Sequence, residues 1–273
     1  MTDMPPPSPP ASETPHSFKD KLVHWSQTQR QMHIPPIVKS LRELGVDVDG
    51  AAFMRFRRDG QRLICWLQSG DGQLFGWTVL SCFLCVLFLD RPLAYWCHDL
   101  PPPIRDFFGD ITHLGKSEPY LFGGFALFAY FRYIYRNKHL AARAGFVFLS
   151  VAASGIAVNI VKMIFGRARP NMLFADPPFY GFDPLGLTSR YQSFPSGHTS
   201  TVVALALCGF TFLPRLWPLW GSFALAVAMS RVAIGSHYPA DLISSAFITY
   251  LVTDAIRKRL EGNGYRLRIA PAP

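Results

Sequence analysis

The stretch "FPSGHTSTVVALALCGFTFL" runs from Phe194 to Leu213. A short polar start, Pro195-Ser196-Gly197-His198, is followed by an uncharged run from Thr199 to Leu213. One reading is a capped helix in a buried core. The other is a helix whose start binds an anion and whose body crosses a bilayer. The remainder of the chain separates the two.

The chain has 273 residues, of which 49% are apolar, 14% aromatic and only 16% charged. A soluble domain usually carries about 25% charged residues, so the composition implies a large core or a membrane. The net charge is +9, which fits nucleic acid, a membrane surface or an anionic substrate. The five cysteines, Cys65, Cys82, Cys85, Cys97 and Cys208, give no disulfide framework. Cys82 and Cys85 have C-x-x-C spacing without a second pair, in an apolar run where cysteine behaves as a small hydrophobe.

Residues 1–15, "MTDMPPPSPPASETP", read as a disordered Pro-rich tail with no secretory apolar core. Residues 16–72 hold basic and aromatic stretches suited either to amphipathic helices on a membrane surface or to a solvated domain edge. From there six apolar segments follow, Leu74–Leu89, Tyr120–Tyr135, Ala144–Val161, Thr199–Leu213, Leu216–Ser230 and Leu242–Thr253. Several are shorter than the roughly 20 residues of a bilayer span. Charge placement nevertheless favours a membrane. Arg55–Arg62, Arg132–Arg143, Arg215 and Arg257–Arg268 all fall on one face, as basic cytoplasmic loops do. Trp77, Trp96, Trp217 and Trp220 lie near segment ends, where aromatic belts form. The expected fold is all-α: a six-transmembrane helical bundle over residues 73–260, with a cytoplasmic tail at 261–273 and both termini cytoplasmic. The expected location is a bacterial inner membrane. Orientation and anion chemistry then account for the basic excess without nucleic acid.

Three polar groups gather in the loops of the other face. In "KMIFGRARP", Lys162 and Arg169 are seven residues apart, about 10 Å along a persisting helix; Gly166 and Pro170 are expected to bend or end that helix. Alone, Lys162 reads equally well as a cation snorkelling to headgroups. In "PSGH", Pro195 suits a first helical turn, Gly197 admits close approach, and the N–H groups of Ser196, Gly197 and His198 make an anion site at the helix start. The His198 side chain can hold a proton there. In "SRVAIGSHYPAD", Arg231 offers a planar fork for phosphate oxygens. Pro239 is placed to start a helix. Asp241, four residues after His237, can accept from one imidazole nitrogen and leave the other unprotonated, as a base or nucleophile.

K-x6-RP, PSGH and SR-x5-H-x3-D together resemble the tripartite signature of the type 2 phosphatidic acid phosphatase superfamily, over Lys162–Asp241. The resemblance implies an all-helical bundle with its site at one end and an integral membrane lipid phosphatase working through phosphohistidine. In that scheme His237 attacks phosphorus and Asp241 orients it. Lys162, Arg169, Ser196, Gly197 and Arg231 bind phosphoryl oxygens, and His198 protonates the leaving alkoxide. No cofactor is expected, since three cations take the place of metal ions and no Mg²⁺ or Zn²⁺ ligand set stands out. The expected partners are a membrane lipid substrate and the bilayer. Phosphatidate, phosphatidylglycerol phosphate, undecaprenyl diphosphate and lipid A phosphates all fit, and the oligomeric state is open. Residues 171–193, with Phe174, Phe179, Tyr180, Phe182 and Leu187, read either as an apolar lid or as a loop packed on the bundle. A phosphatase for a small non-lipid ester and a membrane transporter are the competing readings.

Overall fold

The computed structural model describes residues 69–185 and 188–269. The tail at 1–15, the surface stretch as far as residue 68, and Leu187 of the candidate lid lie outside the described residues.

Each of the six apolar segments falls on a helix. Helix α1, Gly70–Leu84, is capped by Ser69, whose Oγ accepts from the Gly72 N–H at 3.3 Å. It does not stop at Leu89. A π turn, Cys85–Leu89, carries it into α2, Asp90–His98. The turn precedes Pro92, which has no N–H to return to the turn before it. The stretch between the first two apolar segments also contains a further helix, α3, Pro102–Thr112. Helix α4, Glu118–Ala129, continues through a second π turn, Tyr130–Ile134, around Arg132. Next come α5, Lys138–Phe165; α6, Gly197–Phe212; α7, Trp217–Ala233; and α8, Pro239–Gly262. Helix α5 packs against α4, α6 and α8, while α6 also meets α7, α8 meets α1 and α7 meets α3.

Burial is inverted relative to a water-soluble bundle. Ser150, Ser154, Ser200, Ser245, Thr249 and Thr253 are buried beside Phe146, Val151, Val158 and Val202, whereas Trp77, Phe88, Phe122, Tyr133, Ile134 and Trp217 are exposed. Interior hydroxyls pair across helices, Thr249 Oγ1 with Ser200 Oγ at 3.0 Å and Ser245 Oγ with the Ser196 carbonyl at 2.6 Å. Lipid tails are as apolar as leucine, so helices in a bilayer associate through small residues and hydrogen bonds instead. Among the described residues, three helical segments are long and apolar enough to cross a membrane: Gly70–His98, Lys138–Phe165 and Pro214–Ala233. Gly197–Phe212 is apolar but shorter.

The end of α5 sets the path of the loop that crosses it. Gly166 is its cap, left-handed at φ 58°, with its N–H on the Lys162 carbonyl at 3.1 Å. Its own carbonyl accepts from the Asp183 N–H at 2.7 Å. A Cβ on Gly166 would lie 1.7 Å from the Asp183 backbone oxygen. Glycine therefore lets the chain turn out of the helix and be crossed at once by residues 182–183.

Gly166→Ala adds a left-handed penalty of about 1–3 kcal/mol to a backbone collision that no side chain can relieve. Gly155→Ala, mid-helix with open space around its Cβ, should gain up to about 1 kcal/mol of helix propensity. Thermal unfolding of the purified variants in detergent is expected to lower the midpoint for the first and hold or raise it for the second. A Gly166→Ala midpoint equal to wild type would contradict this account of the cap.

Candidate active site

The site sits where the last turn of α5, the start of α6, the end of α7 and the start of α8 converge. Lys162 lies in the last turn of α5. Its Nζ reaches the α6 start, 3.9 Å from where a Cβ on Gly197 would lie. Pro195 is not in the first turn of α6. It precedes the cap, which is Ser196, whose Oγ accepts from the Thr199 N–H at 3.4 Å and from Thr199 Oγ1 at 3.0 Å. The Ser196 N–H is already donated to the Asp241 carbonyl at 3.2 Å. Of the three N–H groups expected to face an anion, those of Gly197 and His198 remain, as first-turn donors without an intrahelical acceptor.

Arg231 is buried near the end of α7. Its Nη1 donates to Thr112 Oγ1 at 2.8 Å, and its Nε has no partner among the described residues. Its carbonyl accepts the N–H groups of Ser236 and His237, folding the loop back so that His237 lies beside it. Arg169 donates from Nε to the Ser189 carbonyl at 2.8 Å, and its backbone N–H goes to the Arg190 carbonyl at 2.9 Å. Lys162, Arg169, Arg231 and His237 all bear electrostatically on His198. The eight residues singled out in the sequence thus converge, three of them cations.

His237 is 3% exposed. Its Nδ1 lies 2.7 Å from the Ser193 carbonyl oxygen. A carbonyl can only accept, so the geometry assigns the proton to Nδ1 and leaves the Nε2 lone pair free. Asp241, expected to be the acceptor, is 3.6 Å from the same nitrogen, beyond a normal hydrogen bond. Its oxygens are engaged elsewhere: Oδ1 with Arg167 Nη1 at 2.6 Å, Oδ2 with Ser193 Oγ at 2.6 Å and the Tyr238 N–H at 2.9 Å. Burial pulls the His237 imidazole down, to about 4, against the opposite influence of Asp241. The ring is neutral near pH 7.

Sequence reasoning missed Arg167, though it stands inside the quoted motif. It is 2% exposed, and its Nη2 donates to Asp90 Oδ2 at 2.7 Å and to the Tyr180 hydroxyl at 3.0 Å. Its guanidinium lies 4.3 Å from the Tyr238 ring centroid. Burial alone would pull this guanidinium down, but Asp241 and Asp90 beside it outweigh that and hold it above its ordinary value. Asp90 was the available signal, an acid at the edge of an apolar segment. Thr112 and Gly115 were missed as well. A Cβ on Gly115 would be 2.9 Å from His198 Cδ2, so that glycine makes room for the imidazole. The loop at 171–193 packs inward through Leu173 and Tyr180, against Ala94 and Tyr238, while Phe174, Phe179 and Phe182 stay partly exposed.

Comparisons with known proteins bear on the family and the fold. The family model described as PAP2 superfamily matches residues 143–263. A Rhizobium johnstonii protein named lipid A 1-phosphatase is 30% identical over 177 residues, covering 61% of this chain and 71% of that one. A Rhizobium etli protein of the same name is 29% identical over 177 residues, covering 61% and 75%. The crystal structure of a transmembrane PAP2-type phosphatidylglycerolphosphate phosphatase from Bacillus subtilis aligns at TM-score 0.51 and 20% identity, over 70% of this chain and 96% of that one. With a helical bundle, the motif residues gathered at one end and relatives of this kind, the chain belongs to the PAP2 superfamily of membrane phosphatases.

Proposed function

We propose that this phosphatase hydrolyses the 1-phosphate of lipid A or a closely similar lipid-linked phosphate monoester, through a phosphohistidine on His237. The observation that carries the chemistry is the His237 ring. Its Nδ1 is committed to the Ser193 carbonyl, which leaves the Nε2 lone pair free on a ring that Arg231 and Arg169 both influence electrostatically. Phosphoryl transfer needs chiefly positioning and charge stabilisation. Lys162, Arg169 and Arg231 supply the charge, and the unpaired Nε of Arg231 is a donor that a phosphoryl oxygen would satisfy. Ser196 caps the helix whose Gly197 N–H faces the anion. Asp241 stabilises the imidazolium that forms as His237 bonds phosphorus and the alkoxide leaves. Burial and the neighbouring cations press the proton off His198. The bound phosphate dianion offsets those cations, so His198 enters the step protonated, gives the alkoxide that proton, and then takes one from the water that cleaves the phosphohistidine. The choice of lipid rests on the two Rhizobium relatives.

The same reading takes all six helical segments as spans. The site then faces the non-cytoplasmic side, the basic ends of α4, α7 and α8 face the cytoplasm, and both termini are cytoplasmic.

Phosphate release from a panel of lipid A 1-phosphate, phosphatidate, phosphatidylglycerol phosphate and undecaprenyl diphosphate should be fastest with lipid A. It should vanish in His237→Ala, persist in EDTA and be inhibited by vanadate, which can adopt the five-coordinate geometry of reacting phosphorus. Loss in EDTA with recovery in Mg²⁺ would contradict the cation-only mechanism.

His198→Ala should slow an alkyl ester about 10²–10⁴-fold and an aryl ester with a good leaving group much less. Equal losses for both would remove the proton-donor role.

In a cysteine-free variant, Ser189→Cys should react with a membrane-impermeant thiol reagent in intact cells. Arg215→Cys should react only after permeabilisation. The reverse pattern would place the site in the cytoplasm.

A further inference from the structure

The end of the bundle away from the site holds a cavity that catalysis does not use. Lys138 begins α5 and Lys162 lies near its end, so the two ends are about 36 Å apart. Near Lys138 a cavity of about 660 Å³ opens between the end of α4, the start of α5 and the end of α8. Its wall is apolar, with Phe128, Leu149 and Leu260, and its mouth carries Arg132, Arg136 and Lys138. Among the described residues no carboxylate lines it, and none of these three cations forms an ion pair. Arg132 stands within the π turn after α4, its guanidinium over the Tyr133 ring at 5.5 Å.

A second cavity near this end makes a useful contrast. It is about 490 Å³ and lies between α6 and α8, but it contains its own acids. There Arg257 meets Asp254 at 2.5 Å and Glu261 at 3.0 Å. Positive charge alone would orient the chain across a membrane. Orientation does not require that three cations ring an acid-free hollow with an apolar wall.

We propose that this cavity binds the phosphate headgroup of an anionic phospholipid. Basic pockets between membrane helices suit such headgroups. The phosphate sits among Arg132, Arg136 and Lys138, and an acyl chain runs along the apolar wall, where the exposed Tyr133, Ile134 and Leu149 continue the surface. A free anion would need the cations but not the wall, so the occupant is a lipid. Bound there, it links α4 to α5 and α8.

The test uses the full chain purified in detergent, offered equal amounts of phosphatidylglycerol and phosphatidylcholine, with retained lipid read by native mass spectrometry. Wild type is expected to retain phosphatidylglycerol selectively. Combined Arg132→Gln, Arg136→Gln and Lys138→Gln should weaken that retention about tenfold or more. Combined Arg215→Gln, Arg257→Gln and Arg268→Gln removes equal charge at and beside the second cavity and should leave retention unchanged. Arg231→Gln should also leave it unchanged, which keeps this site separate from the proposed active site. Should the triple cavity variant not fold, single Arg136→Gln and Lys138→Gln variants serve, read by the thermal shift that phosphatidylglycerol confers. Equal loss in the control triple, equal retention of phosphatidylcholine, or complete displacement of the lipid by inorganic phosphate would each overturn the proposal.

Discussion

The Arg167 guanidinium, buried between the carboxylates of Asp90 and Asp241, is the interaction on which the remaining geometry rests. It joins three parts of the chain that have no local reason to meet: the α1–α2 helix, the turn after α5 and the start of α8. Asp90 adds a second tie, accepting the Ala240 N–H at 3.2 Å. Asp241 in turn holds Ser193 and the Tyr238 backbone, and these set the Ser193 carbonyl against His237. Buried ion pairs add little net stability over an apolar replacement, but removing one partner costs about 3–5 kcal/mol. The network therefore fixes where the imidazole stands, and losing a single partner would also weaken the bundle.

This arrangement divides labour between two adjoining layers. The outer layer, Lys162, Arg169, Arg231 and the α6 start, is rich in donors and poor in acids. The inner layer carries both carboxylates, with Arg167 between them. Had Asp241 stood among the outer cations with a free oxygen, it would compete with an incoming anion for them. Engaged by Arg167, Ser193 and Tyr238, it stays close enough to favour positive charge on His237 without doing so.

The helical segments and the motif residues were legible because each leaves a local mark. Apolar runs, a glycine that ends α5, a serine that caps α6 and a proline that starts α8 all act within a few residues. The proline before Ser196 carried the wrong local meaning, since the same residue suits either side of a cap. What escaped was non-local or had no side-chain signature. The Arg167–Asp90 pair spans 77 residues; Asp90 at the edge of an apolar run hints at a partner, but nothing local names Arg167. That pairing is also why the first helix runs past Leu89, where a charged doublet normally marks an exit from lipid. The acceptor for His237 Nδ1 is a backbone oxygen, which every residue possesses. Gly115 matters through neighbours far along the chain, His198 and Val227.

Asp90 also imposes an order of events during synthesis. Its helix is the first candidate span among the described residues, and its partner Arg167 is made 77 residues later. At about 5–20 residues per second, that gap is roughly 4–15 s. During it the carboxylate stands at the end of an apolar helix with neither Arg167 nor the Ala240 N–H yet in existence. An unpaired acid deep in hydrocarbon is costly, whereas one near the surface can keep water. The pairing of Asp90 therefore waits until the turn after α5 emerges. Closure of the bundle around that carboxylate is thus a late step, timed by the ribosome.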